Sequence, residues 1–438
     1  MKNNNGISGG TSRREFMKTA GAAAVGTAFA LNFNIPGKAF AFGSNTLKVG
    51  LIGCGGRGTG AAYQALSADK DVVLSAMADI HEDRLEESLA NLMKDHGDKV
   101  KVDNKSGKYL GFDAFQKVLN SDVDVVILTT PPVFRPLHME KAVAAGKHIF
   151  CEKPMAVDTP GLHRVLEAAH KAKEKGISLA SGFCWRYHTP KREIFGRIND
   201  GAIGKVKSVY STYNTGLLWS KPYKAGWNDL EKKLRNWLYY NWLSGDHIVE
   251  QAIHSIDMGS WAMGDVRPIS ASGTGGRQVR TDPMFGNIYD HFAIEYEYEN
   301  GVKAFHFSRQ QDKCARAYSC EAIGDKGNAI IDVNRRVHEI QGENPWRYRG
   351  DGNDMYQQEH DELFASIRSN KPFYNGDLMV QSSMLAIMGR MVAYTGQTIT
   401  YDEAWNSTEK LGPDPEEYTW DMKAPEVPVP MPGETKFQ

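Results

Sequence analysis

Three short runs in this chain carry residue types whose spacing suits chemistry. In Cys151-Glu152-Lys153-Pro154 an amine follows a carboxylate and precedes a proline. A lysine placed there can donate a hydrogen bond to a reacting hydroxyl, stabilise an oxyanion, or move a proton. In Glu250-Gln251-Ala252-Ile253-His254, with Asp257 beyond, two carboxylates bracket an imidazole. Residues four and seven apart share a helix face, so Glu250, His254 and Asp257 are expected to converge. The third run, Gly53-Cys54-Gly55-Gly56-Arg57-Gly58, has the G-x-G-x-x-G spacing of a backbone that approaches phosphate.

These runs need elements to position them. From Leu47 the pattern alternates strand and helix, as a parallel sheet with crossovers requires. Strands are expected at 47–52, 72–78, weakly near Lys101 to Val102, and at 123–129, 148–151 and 177–182. Helices are expected at 58–68, 82–95, 135–145 and 160–175. The implied fold class is α/β: an amino-terminal doubly wound Rossmann sheet, its ligand crevice at the carboxyl ends of the strands. Beyond Trp185 the period shortens to two, and strands are expected at 205–213, 288–299, 302–310 and 318–323, with Glu299-Asn300-Gly301 as a hairpin turn. Helices at 357–369 and 381–395 complete a carboxyl-terminal α+β domain with an open, mostly antiparallel sheet. The division is 1–41 signal, 46–186 Rossmann domain, 187–415 substrate and oligomerisation domain, and 416–438 extended tail. An uncovered apolar sheet face needs a partner, so a homodimer or homotetramer through the second-domain sheet is expected.

The glycine run follows a strand, opens a helix, and is followed about two dozen residues on by Asp79 at the end of the second strand. That context reads as a dinucleotide site formed by Gly53, Gly55, Gly56, Arg57, Gly58 and Asp79. The glycines admit a pyrophosphate to the helix amino terminus. Asp79 can accept from both ribose hydroxyls and would repel a 2′-phosphate, so NAD is favoured, while Arg57 and Arg84 keep NADP open. Thr129-Thr130-Pro131-Pro132 ends the fourth strand beside the crevice, the prolines leaving the Thr hydroxyls free to face it. Lys153, at the end of the next strand, is expected in the same crevice.

Glu152-Lys153-Pro154, the glycine run, Gly182-Phe183 with Trp185-Arg186, His254-Ser255-Ile256-Asp257 and the Gly324 to Gly327 stretch together resemble the glucose-fructose oxidoreductase, inositol dehydrogenase and rhizopine-catabolism (Gfo/Idh/MocA) family. The resemblance covers nearly all of the chain after the signal. It implies sugars, polyols or their keto forms as substrates, with Lys153 and His254 as acid–base pair and Thr130, Pro131, Glu152, Trp185 and Arg186 near the cofactor. Such enzymes usually carry Asp-x-Gly-x-His, whereas this chain has Glu250 and Ala252. Which carboxylate, Glu250 or Asp257, orients the imidazole is left open. On this reading His254 takes the carbinol proton, Lys153 holds the same oxygen, and NAD accepts the hydride. Arg235, Trp237, Tyr240, Trp242 and Tyr187 supply the aromatic faces and polar tips that suit a pyranose.

Composition bounds the rest. Lys plus Arg number 52 against 53 Asp plus Glu, so there is no electrostatic footprint for nucleic acid or acidic lipid. The five cysteines are scattered without metal-type spacing, and only Cys314 and Cys320 lie close enough in sequence to suggest a pair. At the amino terminus, Ser12-Arg13-Arg14-Glu15-Phe16-Met17-Lys18 precedes a small, weakly apolar stretch and Ala39-Phe40-Ala41. That run reads as a twin-arginine export signal with a small-x-small cleavage site, a route for folded proteins, so a periplasmic enzyme exported with its cofactor is expected. No later stretch is long enough to span a bilayer. The leading expectation is an NAD-dependent oxidoreductase with retained cofactor, acting on a secondary hydroxyl such as C3 of a sugar or glycoside. The alternatives are a glycosidase that oxidises, eliminates, hydrates and re-reduces, and a non-catalytic sugar-binding or sensory protein.

Overall fold

The computed structural model describes residues 46–103 and 106–438. The export signal expected within 1–41 lies outside the described residues. β1 (Leu47–Ile52) is almost continuously buried, as a parallel strand covered on both faces requires. It leads through α1 (Gly56–Ala68), β2 (Val72–Asp79), α2 (Glu82–His96), β3 (Lys108–Leu110), α3 (Ala114–Asn120), β4 (Val125–Leu128), α4 (Arg135–Ala144), β5 (His148–Cys151) and α5 (Thr159–Glu174) to β6 (Leu179–Ser181). The six strands are parallel in the order β3-β2-β1-β4-β5-β6, which puts the topological switch between β1 and β4.

The third strand is not at Lys101 to Val102. Val100 makes one isolated parallel bridge to Leu74, the chain then leaves the sheet, and β3 forms only where Lys108 pairs with Met77. Three partly exposed residues at a sheet edge leave almost no apolar periodicity to read.

After α6 (Thr189–Asn199) comes β7 (Val206–Thr215), then α7 (Asp229–Arg235), α8 (Asn241–Ser244), α9 (His247–Glu250) and α10 (Ile253–Ala262). Strands follow as β8 (Ser270–Gly276), β9 (His291–Glu297), β10 (Lys303–Gln310), β11 (Ala317–Gly324), β12 (Gly327–Asp332), β13 (Val337–Gly342) and β14 (Trp346–Arg347). The chain closes with α11 (Met355–Arg368), α12 (Gly376–Thr395), β15 (Ile399–Thr400) and α13 (Tyr401–Trp405). These strands make a second sheet in the order β14-β13-β12-β11-β7-β10-β9-β8-β15, antiparallel except for its central pair β7 and β10. The hairpin between β9 and β10 turns at Glu299-Asn300-Gly301, where Asn300 and Gly301 take φ of 61° and 71°. One face packs on helices: the Tyr296 hydroxyl donates to the Leu385 carbonyl of α12 at 2.7 Å. On the other face Tyr210 and Phe307 are exposed, and Tyr210 stacks on Phe305 at 5.0 Å.

α11 does not stay with the second sheet. Its Leu363, Phe364 and Ile367 join Leu47, Val49 and Leu51 in one buried cluster, so the Rossmann core takes a helix from far beyond residue 186. The tail has no regular element after a single turn at Pro415–Glu417, yet it is tied down. The Lys233 ammonium donates to the Pro425 carbonyl at 3.1 Å, and the Tyr289 hydroxyl to that of Pro430 at 2.8 Å. Cys314 is exposed and Cys320 buried, both as free thiols, so the considered pairing is not formed. Among the described residues no helix is long and apolar enough to cross a membrane.

Candidate active site

The dinucleotide cradle is built by what its glycines omit. Gly53 sits at φ +97°, and a Cβ there would lie 2.7 Å from the Thr130 amide nitrogen. A Cβ on Gly58 would be 1.9 Å from the Gly53 carbonyl oxygen, so this glycine sets how closely α1 packs on β1. Gly55 and Gly56 instead face open space at the start of α1, where free backbone amides and the helix dipole suit a pyrophosphate. Asp79 closes β2 with Oδ2 accepting from the Cys54 amide at 2.7 Å and Oδ1 from the His81 amide at 2.9 Å. Burial raises its carboxyl pKa against these donors. The residues present therefore fit a dinucleotide. They line a crevice of about 620 Å³ that runs past Thr130 and Pro131 to Glu250 and Gln251.

Several predicted cofactor contacts are braces instead. The Arg57 guanidinium is spent on protein: Nε on Glu152 at 2.5 Å, Nη1 on Gln64 at 3.0 Å and Nη2 on Glu359 at 3.0 Å. It ties the glycine loop to β5 and α11 and is not free to hold a 2′-phosphate, which removes one of the two arginines that kept NADP open. Glu152 is buried under that pair, and Gly182 makes room for it, since a Cβ there would lie 2.6 Å from the carboxylate. The Thr hydroxyls are also engaged: Thr129 donates to the Gly53 carbonyl at 2.7 Å, and Thr130 lies 3.2 Å from Nδ1 of His138.

The catalytic candidates separate into two groups. Lys153, at the end of β5, donates to the Glu250 carbonyl and, at 3.0 Å, to Glu250 Oε1. Both side chains are 12 % exposed. The helix expected through 250–257 breaks at Gln251, between α9 and α10, so Glu250 turns to the lysine and His254 stands one helix further on. The His254 ring is held by Trp185 at 5.2 Å and by the edge of Phe183 at 6.5 Å, and its buried Nδ1 has no partner among the described residues. Burial, with the charges of Lys153, Lys191 and Arg57, drives its pKa well below 6.5, so the imidazole is neutral at neutral pH.

Asp257 does not converge on this site. It is buried and takes Nε and Nη2 of Arg186 at 2.9 Å each, plus the Ser382 hydroxyl at 2.7 Å. The same guanidinium also reaches Asp265 at 2.7 Å and covers the Trp261 ring at 4.6 Å. Arg186 and Asp257 thus form a buried ion pair and leave neither a cofactor contact nor an imidazole partner. Neither carboxylate orients His254: one holds Lys153, the other Arg186. Trp185 packs on the His254 ring at 5.2 Å.

The predicted substrate wall is likewise divided. Trp237 and Arg235 line the crevice. Trp242 is fully buried in a core cluster, and Tyr240 is buried with its hydroxyl 3.4 Å from that of Tyr223. Tyr187 is buried under Arg192, which lies over its ring at 5.1 Å. These three are packing residues. The segment before them went unread: Trp219, Lys221, Lys224 and Trp227 all line the crevice. The density of tryptophan and lysine between 219 and 237 was the available signal.

A parallel sheet of this strand order, glycine-cradled at its switch point, with Glu250 from beyond the sheet lining the same crevice and holding Lys153, defines a two-domain dinucleotide-binding protein. Residues 47–180 match the Gfo/Idh/MocA oxidoreductase family in its NAD-binding Rossmann fold, and residues 192–330 match its C-terminal domain. The chain belongs to this family. It is similar to the myo-inositol 2-dehydrogenase of Thermotoga maritima, 24% identical over 74% of this chain and 90% of that one. It also resembles the dTDP-3,4-didehydro-2,6-dideoxy-alpha-D-glucose 3-reductase of Actinomadura kijaniata, 27% identical over 39% of this chain but spanning only 46% of that enzyme. The fold is shared with the aldose-aldose oxidoreductase of Caulobacter crescentus, solved with glycerol, at a TM-score of 0.64 and 20% identity over 81% of this chain and 99% of that one.

Proposed function

We propose that the protein is an NAD(H)-dependent oxidoreductase acting on a ring secondary hydroxyl of a sugar or glycoside, with C3 the favoured position, or on the matching keto sugar. The observation that carries this reading is the Lys153–Glu250 ion pair, with Glu250 lining the crevice and a neutral His254 near enough to feel the charge of the ammonium. Bound NAD supplies a hydride acceptor for the carbinol carbon. His254 takes the hydroxyl proton, which its depressed pKa permits at neutral pH. The Lys153 ammonium donates to the same oxygen and stabilises its negative charge, while Glu250 fixes where that ammonium points. In the opposite direction the same groups return a proton to a ketone. Relatives named for action at a sugar 3-position and on an inositol hydroxyl support this substrate class.

The twin-arginine run at Arg13-Arg14 supports a periplasmic location, where no free NAD pool exists and a retained cofactor would have to cycle between two sugars. The open sheet face around Tyr210, Phe305 and Phe307 supports a homodimer or homotetramer.

The test is direct. Purified mature protein is denatured and its nicotinamide quantified, and native protein is titrated with glycosides and keto sugars while nicotinamide absorbance is followed. Reduction of bound cofactor by a glycoside and reoxidation by a keto sugar is the expected result. Release of a fully reduced sugar, without net change in the cofactor, would mark an NAD-dependent glycosidase. No cofactor, no binding of added NAD and no spectral response would leave only a sugar-binding protein.

A further inference from the structure

The dinucleotide crevice is enclosed at one end by chain from well outside the Rossmann sheet. α2 begins just beyond Asp79, and Asp83 in its first turn receives both terminal nitrogens of Arg235, from α7, at 2.8 and 3.0 Å. Arg235 is further fixed by Glu231 at 2.9 Å and stacks over Trp227 at 4.7 Å. The guanidinium holds the Asp83 carboxyl below its usual pKa, so the pair stays ionised through neutral pH.

The tail closes the same end from another side. Trp420 packs against the His81 ring at 5.7 Å and Phe112 at 4.9 Å, and Tyr418 reaches Phe112 at 5.9 Å and Phe134 at 5.3 Å. His81, Phe112 and Phe134 all line the crevice. The tail and the α7 segment are joined, because the Asn228 side-chain amide donates to the Trp420 carbonyl at 2.8 Å. Inside this enclosure His81 is 9 % exposed, and its Nε2 is buried with no partner among the described residues. A buried imidazole nitrogen without a partner costs free energy until something fills it. Its position two residues after Asp79 is where the adenosine half of a dinucleotide comes to lie in this fold.

We propose that the Arg235–Asp83 ion pair and the Trp420 contacts form a clasp over the adenosine end of the crevice, and that His81 Nε2 hydrogen-bonds the adenosine held beneath it. The clasp makes the dinucleotide a resident cofactor: it leaves only after an ion pair and an aromatic cluster have opened. This rests on the dinucleotide reading of the crevice and adds the device that retains the ligand.

The test measures exchange rather than turnover. Mature protein is loaded with NAD, transferred to excess isotopically labelled NAD, and sampled for label incorporation. Arg235→Gln, Asp83→Asn and Trp420→Ala are compared with the parent, each checked for an unchanged thermal melt. The clasp predicts exchange at least about tenfold faster in each variant, the size expected for losing one such contact, and weaker NAD binding in His81→Phe but not in His81→Gln. Asp83→Asn, at a half-exposed side chain, guards against a fold defect in the tryptophan variant. Parent protein that binds NAD but exchanges it as fast as all three variants would overturn the clasp. Parent protein that neither carries nor binds NAD would overturn the cofactor reading itself.

Discussion

The two walls of the crevice are made differently. On the Rossmann side the ligand surface is main chain: glycines at fixed spacing, amides at a helix start, and a strand-end aspartate held by two backbone N–H groups. The other wall is side chain drawn from both halves of the chain, and the partners that fix each group come from far away in sequence, as Glu250 does for Lys153 and Asp83 for Arg235. The first wall depends on what is absent at each position, the second on which charges meet. A substitution on the first wall therefore costs binding and fold together, whereas one on the second can separate turnover from stability.

The largest expected effect tests the second wall. Lys153→Ala and His254→Ala should each lower the rate of bound-cofactor reduction by about 10²–10⁴-fold while the cofactor content of the purified protein stays at the parent level. Either variant reducing cofactor at the parent rate would remove that residue from the chemistry. Next comes the contrast between the two carboxylates. Asp257→Asn breaks a buried pair and should cost about 3–5 kcal/mol in urea unfolding, with turnover per folded molecule little changed. Glu250→Gln should do the reverse, lowering turnover and leaving the urea midpoint near the parent value. If the two variants behave alike, the division of roles is wrong.

On the first wall, Gly53→Ala forces a side chain into positive φ against the Thr130 amide and should cost about 1–3 kcal/mol together with cofactor occupancy. The smallest effect is a slope. His138 and His81 are buried with pKa values lowered to about 3 and about 4. Because the folded values lie below the unfolded value near 6.5, their stabilising contribution is complete above that pH and fades as pH falls toward 4 and 3. Asp246, raised to about 6 by burial, acts oppositely, its contribution fading as pH rises through 6. His138→Phe, which keeps the stack on Phe115, should flatten the acid loss of stability between pH 6.5 and 4. An unchanged slope in urea titrations would show that another group governs it.

What was legible in the sequence follows the same division. Buried parallel strands, glycine spacing and Lys153 are local patterns, and they could be read without knowing the rest of the chain. The face shared by Glu250, His254 and Asp257 was a sound inference from helical period, but it assumed an unbroken helix, and the chain breaks at Gln251, whose side-chain oxygen accepts from distant Gln310 at 2.6 Å. Arg57 and Arg186 sit in cofactor motifs, yet each is claimed by carboxylates, Glu359 and Asp265 among them, that lie far away in the chain. Trp242 and Tyr187 show why aromatic content alone does not mark a sugar wall: a core and a pocket use the same residues. The tail read as merely extended because its two anchoring aromatics, Tyr418 and Trp420, lie in a stretch without period.

The return of α11 to the first sheet has a bearing on synthesis. Until the ribosome has made Leu363, Phe364 and Ile367, the apolar surface around Leu47, Val49 and Leu51 has no cover, and Arg57 lacks Glu359. The nascent amino-terminal half is therefore an unfinished body for most of translation. β7 waits too, since its parallel neighbour β10 ends at Gln310, almost a hundred residues later. Nascent chains halted before residue 355 should remain protease-sensitive and chaperone-bound, and protection should appear as one late step, which assigns the quality check on this protein to its last fifth.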